Sequence, residues 1–95
     1  MQLEIITPEK EVFKGEAEAV QFPGLDGLFQ VLNGHAPIIS ALTEGDVKID
    51  LADAYSTEEE DDQIKVDASN NKVIRVGIKG GVIEMLNNKV IVLAE

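Results

Sequence analysis

The sequence predicts an all-β domain, a sandwich or barrel of eight to ten short strands, and three observations carry that reading. Apolar residues alternate with polar ones at period 2 in the clearest segments, turn signals recur at short intervals, and no segment shows a sustained helical stripe. At 95 residues the chain is one domain, 1–95, with a single core. It contains no internal repeat and no second domain.

Taken in order, "LEII" and "AEAVQF" read as the first strands, separated by the turn "TPEK". "PGLDG" then leads into "LFQVL", and "NGHAP" into "PIISAL". After "TEGD" comes "VKIDL", where Val47, Ile49 and Leu51 face one way and Lys48 and Asp50 the other. "VIRVGIK" repeats the alternation, with Ile74, Val76 and Ile78 opposite Arg75 and Lys79. "KGG" and "LNNK" bracket "VIEML", and "VIVLA" closes the chain. That last run is apolar on both faces and rich in β-branched residues, the pattern of a strand covered on both sides.

Residues 50–72 stand apart. They hold eight acidic and two basic side chains, so −6 of the formal −10 lies there. "DLADAYSTEEEDD" is the best helical candidate, but it lacks an apolar stripe. It reads as an expanded hairpin or mobile loop, solvated by its own repulsion.

Charge and composition exclude several functions. A charge of −10 opposes nucleic-acid binding, which needs clustered Lys and Arg, and opposes adsorption to anionic lipid. "MQLEIITPEK" has no basic leader before an apolar core, and no apolar run approaches a spanning helix, so no direct membrane insertion is expected. The absence of cysteine removes disulfides and thiolate metal sites and suits a reducing compartment.

The candidate chemistry gathers in "PGLDGLFQVLNGHAPII", residues 23–39, which holds Pro23, Pro37 and the single histidine, His35. Nucleophilic catalysis would need a Ser or Cys beside His35 and a carboxylate to orient the ring; Ser40, Ser56 and Ser69 sit in no nucleophile motif. The glycines match neither a Walker loop nor a dinucleotide fingerprint. "EEEDD" lacks the alternating ligands and central glycine of a calcium loop. Catalytic residues, cofactor and metal are therefore all read as none. What remains is a presentation surface: Leu25 and Leu28 occupy turn-like sequence, either exposed on a proline-braced loop or folded back into the core.

Four segments then resemble one family. "LEIITPEKEVFKGEAEAVQFPG" is similar to the opening of the epsilon subunits of rotary proton-translocating ATP synthases, with a "TPE" turn and a "VF-x-G-E" strand before Pro-Gly. "GLDGLFQVLNGHAPII" resembles that family's G-x-x-G-x-x-G-V-L-P-G-H-A-P-L segment. "LTEGDVKI" and "GGVIEMLNNKVIVLAE" resemble its next strand pair and its closing hairpin, so the likeness spans all but about residues 50–72. Gln30 stands where the family usually has Gly, Asn33 where it has Pro, and Leu28 where it often has an acid.

The resemblance implies a ten-stranded flattened sandwich in a central stalk. Such a subunit binds gamma, contacts the c-ring and works beneath an alpha/beta catalytic head. It lies at the cytoplasmic face of the bacterial plasma membrane and couples proton flow to ATP synthesis without catalysing it. Residue by residue, the implied c-ring-facing positions are Asp26, Gly27 and Leu28 in the first turn and Gly34, His35, Ala36, Pro37 and Ile38 in the second. The stop at "VLAE" implies a short form with no C-terminal helical hairpin, and so no latch on hydrolysis. The alternatives are a β-sandwich adaptor of another complex, or a small hydrolase whose activity would depend on His35.

Overall fold

A computed structural model describes residues 1–56 and 62–95. These form nine strands and no helix: β1 (Gln2–Ile6), β2 (Glu11–Gly24), β3 (Gly27–Leu32), β4 (Ile38–Leu42), β5 (Gly45–Leu51), β6 (Ile64–Val66), β7 (Val73–Ile78), β8 (Gly81–Leu86) and β9 (Lys89–Ala94). The architecture is the expected β-sandwich.

β2 is long enough to serve both layers. Its first half pairs antiparallel with β1, from Glu11↔Ile6 to Glu16↔Gln2. Its second half lies between β3 and β5, with Val20 opposite both Val31 and Ile49. One layer continues from β1 through the parallel neighbour β9 to β8 and β4; the other runs from β5 to β7 and β6. A single bridge, Gly24↔Leu42, joins β2 to β4 where the layers meet.

Alternation puts the apolar residues between the layers. Val47 and Ile49 from β5, Ile74 and Val76 from β7, and Phe22, Leu3, Ile5 and Ile83 from their neighbours are fully excluded from water. No polar or charged side chain among the described residues is buried with them. Burial of this apolar set is the main favourable term in folding. The closing strand departs from the sequence reading. Val90, Val92 and Ala94 are buried, but Leu93 is 58 % exposed, so one face of β9 is left uncovered.

Two glycines are fixed by close approach. A Cβ on Gly81, at φ 150°, would lie 2.3 Å from the Leu93 carbonyl oxygen across the β8–β9 ladder. A Cβ on Gly24 would meet the Gly27 carbonyl and the Phe29 ring at 2.8 Å. Neither contact tolerates a side chain.

Within 50–72, β6 is a strand that the sequence reading passed over, paired to the outer edge of β7. Thr57–Asp61, most of the acidic run, lies outside the described residues. The β6–β7 turn is organised by Asp67. Its carboxylate accepts from Ser69 N at 3.1 Å, Ser69 Oγ at 2.8 Å and Arg75 Nη1 at 3.0 Å.

The Arg75 hydrogen bond first, then those from Ser69, lower the Asp67 pKa from its ordinary 3.8 to about 2. Because the folded-state value lies below the unfolded one, the stabilisation is complete above about pH 4 and is lost as pH falls through about 2. Asp67→Asn is therefore expected to lower the urea midpoint at pH 6, and the gap from wild type should close at pH 2. A gap of equal size at both values would show that the ionised carboxylate is not what holds this turn.

Candidate functional site

The two turns singled out in the sequence lie at opposite ends of β3. The first, Leu25–Asp26, closes the β2–β3 hairpin directly at the pair Gly24↔Gly27. Phe29 anchors the strand behind it, its ring centroid 5.5 Å from that of the fully buried Phe22. With Phe29 turned inward, the tight hairpin leaves Leu25 and Leu28 no route to the core. Each is 68 % exposed, which decides the alternative left open by the sequence.

The second turn is held from a distance. The Gly34 N–H donates to Asn88 Oδ1 at 2.9 Å, and Asn88 Nδ2 donates to Asn33 Oδ1 at 3.3 Å. Asn87 and Asn88 form the tip of the β8–β9 hairpin with φ of 52° and 59°, a left-handed pair that asparagine tolerates better than most residues. The Met1 amine also donates to Asn33 Oδ1 and, at 3.0 Å, to the Ala17 carbonyl. The His35 N–H donates to the Leu32 carbonyl at 3.1 Å, and its Nδ1 lies 2.6 Å from the Ala36 carbonyl oxygen. The loop is therefore fastened to two other elements.

Between the turns runs a groove of about 490 Å³ along β3 and the start of β4. Of the expected residues, Asp26, Gly27, Leu28, His35 and Ile38 line it together, whereas Gly34, Ala36 and Pro37 do not. Asp26, His35 and Ser40 share the groove, but the His35 ring bonds to the Ala36 carbonyl and the Ser40 hydroxyl to the Ala41 carbonyl at 3.4 Å. Among the described residues no hydrogen bond links the three into a charge-relay chain.

A second hollow, of about 610 Å³, is lined by Glu9, Glu44, Asp46, Lys79 and Glu95 among others. No three His, Asp or Glu side chains among the described residues are grouped to hold a metal ion.

The sequence reading missed one surface. On the outer face of β4, β8 and β9, Val82 lies directly opposite Leu93, with Ala41 on its other side. Ile39, Val82 and Leu93 are 75 %, 45 % and 58 % exposed. The signal lies in the two-sided apolarity of "VIVLA", a pattern that fits coverage on both faces equally well.

Comparison with known proteins places this geometry. Residues 1–60 match the family described as ATP synthase, delta/epsilon chain, beta-sandwich domain. The chain is 39 % identical over 94 residues to the ATP synthase epsilon chain of Chlorobium limicola, covering 99 % of this chain and 88 % of that one. It is 41 % identical over 93 residues to the epsilon chain of Chlorobaculum tepidum, covering 98 % and 86 %. With the epsilon chain of Salinibacter ruber the identity is 36 % over 97 residues, and the chain spans 58 % of that relative. Among solved structures, a chain of the Tetrahymena thermophila mitochondrial ATP synthase central stalk and c-ring matches at a TM-score of 0.68. Its identity is 16 %, covering 99 % of this chain and 62 % of that one, a likeness of fold.

Proposed function

This chain belongs to the family of ATP synthase delta/epsilon chains, and from that premise we propose that it is a rotor subunit of the central stalk. In this reading it binds gamma, contacts the c-ring and turns with both, so that proton translocation is coupled to synthesis in the alpha/beta head. It contributes no catalytic group of its own. The setting is the cytoplasmic face of a bacterial plasma membrane, reached through the complex. Among the described residues no helix is long and apolar enough to cross a membrane.

The observation that carries the reading is the convergence of the two turns on one groove, with Leu25 and Leu28 held outward from a braced hairpin. Exposed apolar side chains on a fixed frame are what a protein contact needs, because little ordering entropy is lost on docking. A rotor part must also transmit torque without yielding, and a close-packed sandwich core is stiff. We assign Asp26, Gly27, Leu28, Gly34, His35, Ala36, Pro37 and Ile38 to the c-ring side. We assign the outer face of β4, β8 and β9 to gamma.

The chain has no cysteine, so Leu28→Cys places a sole thiol on β3 just past the first turn. A photoactivatable cross-linker on that thiol, in the assembled ATP synthase, should capture the c subunit. Capture of gamma alone, or of neither, would overturn the assignment of these turns to the c-ring.

A further inference from the structure

β3 pairs with β2 alone among the described residues, which leaves its second edge open. Which groups point out of that edge follows from Pro23. Its carbonyl accepts from the Thr43 N–H at 2.9 Å and is therefore turned away from β3. Leu28, directly opposite, then occupies a non-hydrogen-bonded position of the ladder, so its own N–H and C=O point away from β2. By alternation the same holds for Gln30, opposite Gln21, and for Leu32, opposite Ala19. The Leu32 carbonyl is already taken by the His35 N–H, but the groups of Leu28 and Gln30 and the Leu32 N–H form an open row of donors and acceptors.

Sheet edges are usually guarded by charge, by proline or by brevity. Among the described residues the strand order ends at β6, which has three residues with Lys65 at its centre. β3, "GLFQVL", has six residues, no charge and no proline, and it exposes Leu28 at 68 % and Leu32 at 54 %. The groove beside it is lined by one acid, Asp26, and by no Lys or Arg. Gln30, His35 and Ser40 line it beside Leu25, Leu28 and Ile38, so its occupant is mixed in polarity, and neutral or basic. A second copy of this chain, at −10, is repelled.

We propose that β3 takes up an extended segment of a neighbouring protein subunit as an added strand. Main-chain hydrogen bonds run to Leu28 and Gln30, and alternate side chains of the segment seat in the groove. This rests on the reading of the groove as an assembly interface and specifies how the contact is made: through backbone pairing rather than by loop tips alone.

The test is amide hydrogen exchange on the chain alone and in the assembled ATP synthase, with Gln30→Pro and Gln30→Ala alongside. Proline at this position removes an outward N–H and spares the ladder to β2. The Leu28 and Gln30 amides should slow by roughly a hundredfold or more on assembly. Gln30→Pro should bind about tenfold more weakly than wild type, the loss of one interfacial hydrogen bond, while Gln30→Ala binds normally. A chain that assembles with both amides still exchanging fast overturns strand addition and leaves the rotor reading intact. Concentration-dependent protection in the isolated chain would make the occupant a second copy and overturn it as well. A wild-type chain that fails to assemble overturns the rotor reading, and this inference with it.

Discussion

Phe22→Ala is expected to cost about 3–5 kcal/mol, the usual range for removing a buried aromatic ring, and to do the most damage of any single truncation. Phe22 is the largest side chain completely excluded from water. It lies on the second half of β2, opposite Phe29 of β3, and its ring supports that of Phe29 at a 5.5 Å centroid separation. Loss of the ring leaves a void at the centre of the sandwich and removes the anchor that keeps β3 and the first turn in place. For a domain of this size the melting temperature should fall by roughly 12–40 °C. Calorimetry on the isolated chain measures it. A fall of only a few degrees would mean that the core collapses around the site and that β2 is not its keystone.

The second large effect is on binding. Leu93→Glu puts a charge beside Val82 on the exposed outer face of β4, β8 and β9, a face that already carries Glu84 opposite Ile39. Leu93 is already 58 % in water, so thermal stability should change by no more than about 0.5 kcal/mol. If this face docks gamma as proposed, affinity should fall about a hundredfold, close to 3 kcal/mol, as expected when a charge replaces an apolar contact in an interface. Titration calorimetry separates the two quantities. Unchanged affinity in a normally folded variant would remove gamma from this face.

The parts of the fold that the sequence made legible are those with one wet face and one dry one. "VKIDL" and "VIRVGIK" alternate because one side of β5 and β7 meets the core and the other meets solvent, and every inward position assigned to them is buried. β6 was invisible for the complementary reason. Three residues with a lysine at the centre carry no period, and only the β7 edge makes "IKV" a strand. "VIVLA" misled because apolar residues on a strand's exposed face have the same composition as residues that face a core. Leu93 looks buried in sequence and is exposed in the isolated chain.

The site divides in the same way. The turn chemistry of "PGLDG" and "NGHAP" was local and therefore readable. The brace on the second turn was not, since Gly34 and Asn88 lie 54 residues apart and nothing in either segment announces the other. The groove likewise depends on the layers meeting at Gly24↔Leu42, a property of the folded sheet rather than of any motif.

The most direct test of the rotor account is size-exclusion chromatography of this chain mixed with the gamma subunit of the same organism at micromolar concentration. The account predicts a single stoichiometric complex that elutes ahead of either protein and is weakened by Leu93→Glu. Two folded proteins eluting at their separate positions would contradict it and bring forward a sandwich adaptor that serves another complex.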